Sequence, residues 1–171
     1  MIVFLLGGVL GCARSTADSP SEPPPAQTAA AAPRDDCALE TPLVPGVPGS
    51  PGNLLPSDIN PNGASELAAL MRTMQRDLSQ AGEAIRRGEA PPPMFERHRK
   101  LRCSWPTDPA ERNATFDAMA QSYLAQVKSL EARPVDLRDA HQRVVSACIA
   151  CHETACTGPI PAIEALRLAP R

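Results

Sequence analysis

Near the C-terminus the chain reads Cys148-Ile149-Ala150-Cys151-His152, two thiols and an imidazole at the C-x-x-C-H spacing that fastens haem covalently. On an α-helix, residues three and four apart share a face, so Cys148, Cys151 and His152 project from one side. Each thiol can close a thioether with a haem vinyl group while the imidazole ligates iron. The same residue types serve other chemistry. Zinc prefers Cys and His, and Cys156 supplies a further thiol. However, adjacent Cys151 and His152 on a helix converge poorly on one tetrahedral ion, and no second C-x-x-C pair completes the set. A dithiol redox motif sits at the start of a helix after a strand, and nothing before Cys148 reads as such a strand. One covalent haem c is the cofactor this string implies.

Positioning that string requires helices. Only 3% of the residues are aromatic and β-branched runs are scarce, so sheet is not expected. Ser65 can cap a helix whose stripe runs Leu67, Leu70, Met71, Met74, Leu78, Ala81 and Ile85 and stops at Gly88. A shorter helix is expected from Pro93 to about Leu101. Asp108, Pro109 and Glu111 form a capping-box start for a third, carried by Phe116, Met119, Tyr123, Val127 and Leu130 and closed by Pro134. Asp136 opens the last long helix, with Leu137, His141, Val144, Cys148 and Cys151 along its inner face, until Gly158-Pro159-Ile160-Pro161 breaks it. Ile163, Leu166 and Leu168 suggest a short terminal helix. These stripes, joined by proline-bearing turns, predict an all-α, antiparallel four-helix bundle with the haem inside it.

The other end of the chain concerns location. Ile2 to Leu10 is apolar but far shorter than the ~20 residues a membrane span needs, and reads as the core of an export signal. It ends in Val9-Leu10-Gly11-Cys12, which resembles the lipobox of bacterial lipoproteins. That resemblance implies a lipidated Cys12 and a 1–12 signal segment, hence a protein anchored on the periplasmic side of a bacterial membrane. No Lys or Arg precedes the apolar run, and a plain cleaved signal is the alternative. Residues 13–59 are rich in Pro, Ala, Ser and Gly, a composition that buries too little apolar surface to order itself, and they are expected to form a disordered tether. Residues 60–171 suffice for one core, the expected cytochrome domain. A net charge of −2 gives no reason to expect nucleic acid as a partner.

Cys148-Ile149-Ala150-Cys151-His152-Glu153 and, more loosely, Leu70-Met71-Arg72-Thr73-Met74 resemble the class II c-type cytochromes, the cytochrome c-prime group. That resemblance implies a four-helix bundle with the haem on its last helix and a first-helix residue facing the distal side of the iron. A methionine there gives a six-coordinate electron carrier; an apolar residue leaves a vacant position for small gases. The candidates are Met74, first, and Met71. Methionine paired with histidine raises the reduction potential, although a methionine on an apolar stripe also serves as core filler.

Arg72 could hold a haem propionate through paired hydrogen bonds, or stand exposed. Met119 reads as packing. His98, among Arg97, Arg99, Lys100 and Arg102, reads as part of a solvated basic face that could steer an acidic redox partner, and is the runner-up distal ligand. His141 precedes His152 by almost three turns, about 16 Å along the axis, and cannot share its iron; a role supporting the ligand, or simple burial with a hydrogen bond, is expected. Asn113-Ala114-Thr115 matches a glycosylation sequon without expected consequence on a helix. After lipid and haem take their share, Cys37, Cys103 and Cys156 permit one disulfide. Cys103 with Cys156 is the preferred pair, with Cys37 pairing to either left open. The expectation is a non-enzymatic, membrane-anchored monohaem electron carrier with protein redox partners, a homodimer being left open. The alternatives are a five-coordinate gas binder and a structural lipoprotein with a Cys-based zinc or disulfide site.

Overall fold

The computed structural model describes residues 37–169, all within one compact unit. Cys12, the expected 1–12 signal segment and the first part of the expected tether lie outside the described residues. Among the described residues the chain is all-α, with no strand and one isolated bridge between Leu55 and Ala64. No helix there is long and apolar enough to cross a membrane.

Helix α1, Glu66–Arg86, begins where Ser65 turns its hydroxyl onto the Ala68 N–H at 3.2 Å, with Glu66 in the first turn and Arg86 in the last complementing the helix dipole. Gly88, at φ 77°, supplies the left-handed residue that closes it. The expected second helix is only α2, Phe95–His98, continued by a 3₁₀ turn, Arg99–Arg102. Its start is set from a distance: Glu131 Oε1 accepts from both Met94 N and Phe95 N at 2.6 Å. Helix α3, Ala114–Glu131, starts later than the capping-box expectation. Asp108 caps a separate 3₁₀ turn, Pro109–Glu111, whereas Asn113 caps α3 by accepting from Thr115 N and Phe116 N at 3.0 and 3.1 Å. Arg112, at ψ 80°, breaks the chain between them. Helix α4, Leu137–Ala155, opens at Asp136 as expected, and α5, Ile160–Glu164, follows.

Helix α4 is the hub. It packs along α3, against α1, and under α5. Leu78, Ala81, Val127, Leu130, Ala140 and Val144 are almost fully buried between the three long helices. On the other side of α4, Val145 and Ile149 meet Ile163 of α5, with Cys148 touching both clusters. His141 is buried and donates from Nε2 to the Leu78 carbonyl at 3.0 Å, tying α4 to α1. Gly82 makes that approach close: a Cβ there would lie 3.4 Å from His141 Nε2.

Two expectations are corrected here. Cys103 pairs with Cys37, not with Cys156, which is an exposed free thiol. The physical reason is that residues 37–64 fold back over the 102–112 segment, bringing the Cys37 and Cys103 Cα atoms to 5.0 Å. Arg102 and Arg112 donate to the Cys37 and Ala38 carbonyls, and Trp105 Nε1 donates to Val44 O at 2.7 Å. Gly49, at φ 90°, presses on the Glu66 backbone, where a Cβ would come within 2.6 Å of Glu66 Cα. The tether boundary at 59 is therefore too late, because 37–59 carry these anchoring contacts.

Candidate haem cleft

The long helices do not all pack equally. With α4 against both α1 and α3, a cleft opens between α1 and α3 and has α4 as its floor. Its inner part, about 60 Å³, is walled by Met71, Met74 and Leu78 of α1, Phe116, Met119 and Tyr123 of α3, and Cys148, Cys151 and His152 of α4. It widens into an outer cleft of about 1330 Å³ that shares Met71, Phe116, Met119, Cys151 and His152 and adds Arg72. That exceeds the ~300–1,000 Å³ usual for small-molecule sites, and the lining is chiefly apolar.

The structure thus brings five sequence-selected residues, Cys148, Cys151, His152, Met71 and Met74, to one cavity, with Arg72 at its outer part. Met74 is buried and touches only the inner part, whereas half-buried Met71 borders both. The Arg72 side chain makes no hydrogen bond or ion pair among the described residues.

His152 is held by its own helix end. Cys156, the C-cap residue, turns to φ −146° and ψ 95°, and its carbonyl sits 2.9 Å from His152 Nδ1. A carbonyl only accepts, so Nδ1 carries a proton, and in the neutral ring the lone pair is on Nε2. This is the tautomer a metal-ligating histidine uses, with its second nitrogen oriented by a backbone oxygen.

Cys148 and Cys151 are half-buried free thiols. Burial, with Cys151 nearby, pushes the Cys148 thiol up to about 12, and burial also raises Cys151. Both are protonated at neutral pH, unlike the thiolates that electropositive surroundings stabilise in dithiol oxidoreductases. Among the described residues no group of three or more His, Cys, Asp or Glu converges as a metal cage. The donor set fits haem: two thiols on one helix face, one oriented imidazole, and thioethers on the opposing helix.

His98 is placed otherwise than expected. It is fully buried, and its two nitrogens meet Asp77 and Tyr123 at 3.0 and 2.7 Å, which leaves neither for iron. The basic string around it is also largely neutralised, since Arg97 pairs with Asp77, Arg99 with Glu96 and Arg102 with Asp117. Phe116, Met119 and Tyr123 line the cavity although sequence reading placed them only in a core stripe; their spacing marks a buried face but not what that face meets. Comparison with protein-family models, with curated proteins and with solved structures gives no match, so the chemistry of this cleft is read from its own residues.

Proposed function

We propose that this chain is a monohaem c-type cytochrome that carries single electrons, with α1, α2 and its 3₁₀ turn, α3 and α4 serving as an antiparallel four-helix frame around haem c. The observation that carries the reading is the oriented imidazole of His152, one residue from Cys151 and on the wall of a cleft closed by apolar side chains. When bound, haem supplies one-electron chemistry at iron. Cys148 and Cys151 would anchor it by thioethers, His152 would ligate its iron, and Met74, in preference to Met71, would supply a second ligand. Arg72, which lines the outer cleft, would hold a propionate through paired hydrogen bonds. The apolar walls of the inner part would keep water from the group there and so limit reorganisation when charge changes.

The Cys37–Cys103 disulfide supports an oxidising compartment, in keeping with export and a lipid anchor at Cys12 facing the periplasm. The partners are redox proteins that meet the exposed cleft edge. One observation favours a second reading: Met74 belongs to the hydrophobic cluster as a buried packing residue, and if it stays there the iron is five-coordinate and binds small gases.

Haem staining after denaturing electrophoresis of material matured with the haem-attachment machinery tests the central claim. Retained stain in wild type and its loss in the Cys148→Ser/Cys151→Ser double variant are expected. An unstained wild-type band would leave the third reading, a structural lipoprotein with a disulfide or zinc site. Optical spectra of Met74→Ala and Met71→Ala then separate the first two readings. Loss of a thioether-to-iron band in one variant marks the carrier; prompt carbon monoxide binding by the ferrous wild type marks the gas binder.

A further inference from the structure

Behind the cleft wall runs a buried polar chain that the proposed electron transfer does not use. Asp77 on α1 accepts from Arg97 at 2.8 Å and faces His98 Nε2 at 3.0 Å. His98 Nδ1 lies 2.7 Å from the Tyr123 hydroxyl on α3. His98 is wholly buried, and Tyr123 is 4% exposed.

The direction of each proton follows from the end of the chain. A carboxylate only accepts, so His98 Nε2–H donates to Asp77; Nδ1 then has a lone pair and takes the Tyr123 O–H. The two ring planes are within 24° of parallel and their centroids are 5.9 Å apart, so the pair is held by ring contact as well as by the hydrogen bond. Burial holds the Tyr123 phenol well above its ordinary range, so the group is a neutral phenol at any physiological pH. A neutral phenol loses an electron readily only if its proton leaves in the same event. Here a base is already seated on that proton, and a carboxylate stands behind the base.

The placement also separates the two particles. Tyr123 lines the inner cavity beside Cys148, whereas His98 lies on its other side and does not line the cleft. We propose that Tyr123 is a redox centre of this protein, a proton-coupled one-electron donor toward a high-potential, metal-centred one-electron oxidant in the cleft, with His98 as its proton acceptor. The phenolic O–H bond breaks and an N–H bond forms at His98 Nδ1. One electron passes to the oxidant, and a neutral phenoxyl radical remains beside a His98 imidazolium paired with Asp77. Re-reduction returns the electron to the ring and the proton to oxygen. Haem itself is not required, since any metal-centred oxidant of sufficient potential at the cleft completes the step.

The sequence makes the test clean, because Tyr123 is the only tyrosine in the chain. Flash-generated ruthenium(III) polypyridyl is applied to the full chain, and the phenoxyl radical is followed by its sharp near-ultraviolet absorption and its electron paramagnetic resonance signal. The wild type should form the radical with a slower rate in deuterium oxide. Tyr123→Phe should abolish it, and His98→Phe should slow it by about 10²-fold, the lower range for a positioned proton acceptor. Circular dichroism of the variants reports folding, and the wild-type isotope effect stands without any variant. No radical in wild type, or a radical formed without an isotope effect, overturns the proposal. A folded His98→Phe that oxidises as fast as wild type also overturns it. Haem staining is read separately, so failure here leaves the cytochrome reading intact.

Discussion

Asp117 shows how one buried charge shapes the region between the disulfide and α3. Arg102 donates to both of its carboxylate oxygens at 2.7 and 3.0 Å, and Gln121 donates as well. The Arg102 hydrogen bonds hold the Asp117 carboxyl below its ordinary 3.8. A carboxylate with a depressed folded value contributes stability that is present above the unfolded value and lost as pH falls through the folded one. Arg102→Gln should therefore cost about 2 kcal/mol at neutral pH, the scale of a charged hydrogen bond. The gap from wild type should narrow below pH 3.8. Urea unfolding at both pH values checks this. The buried histidines act in the opposite chemical sense. Burial lowers both His98 and His141 below 6.5; Asp77 and Glu131 oppose this at His98 and Arg97 adds to it, while at His141 the Leu78 carbonyl opposes it and Arg86 and Arg138 add to it. The unfolded chain then binds more protons just below pH 6.5, so stability falls on acidification through that range. The urea midpoint should drop between pH 7 and pH 5, and the drop should shrink in His141→Gln.

At the scale of elements, what could be read depended on whether the signal was local. Ser65, Gly88 and Asp136 act through hydrogen bonds or φ within a few residues, and the ends of α1 and the start of α4 lie where their spacing predicts. The C-x-x-C-H face and the Met71–Met74 turn are equally local, so their joint appearance in one cleft needed only the right helix pairing. The second helix depended on Glu131, far along the chain, and Cys103 depended on a fold-back that composition disguised as linker. The start of α3 is the instructive case, since Asp108 does cap, but it caps a 3₁₀ turn. Asn113→Ala should lower stability by about 1 kcal/mol. Asp108→Ala should cost less than half as much, because only a single exposed turn is lost. Thermal unfolding of the two variants side by side decides which residue begins the helix; a larger loss for Asp108→Ala would restore the capping-box boundary.

For the whole molecule, the Cys37–Cys103 bond joins a proline-rich segment to the helical body. The sequence separation is 66 residues, and closing a loop of that length restricts the unfolded chain by about 4 kcal/mol on the chain-entropy account. The bond also holds a strap whose contacts reach the cleft. Gly49 O accepts from Glu66 N at 3.1 Å, Trp105 O accepts from Leu67 N at 2.9 Å, and Ser65, Leu67, Ser104 and Pro106 line the outer cavity. Loss of the disulfide should therefore act at two levels. Cys37→Ser should lower unfolding stability by up to about 4 kcal/mol. Amide exchange should speed at Gly49, Leu55 and Ala64, whose hydrogen bonds order the strap. Exchange at Val127 and Val144, fully buried between α3 and α4, should follow only the global loss. The two classes of amide distinguish a strap that stiffens the cleft rim from a bond that merely raises global stability, since in the latter case every protected amide accelerates by the same factor. Unequal acceleration, largest at the strap, is the expected result, because its backbone hydrogen bonds are few and its apolar burial is slight.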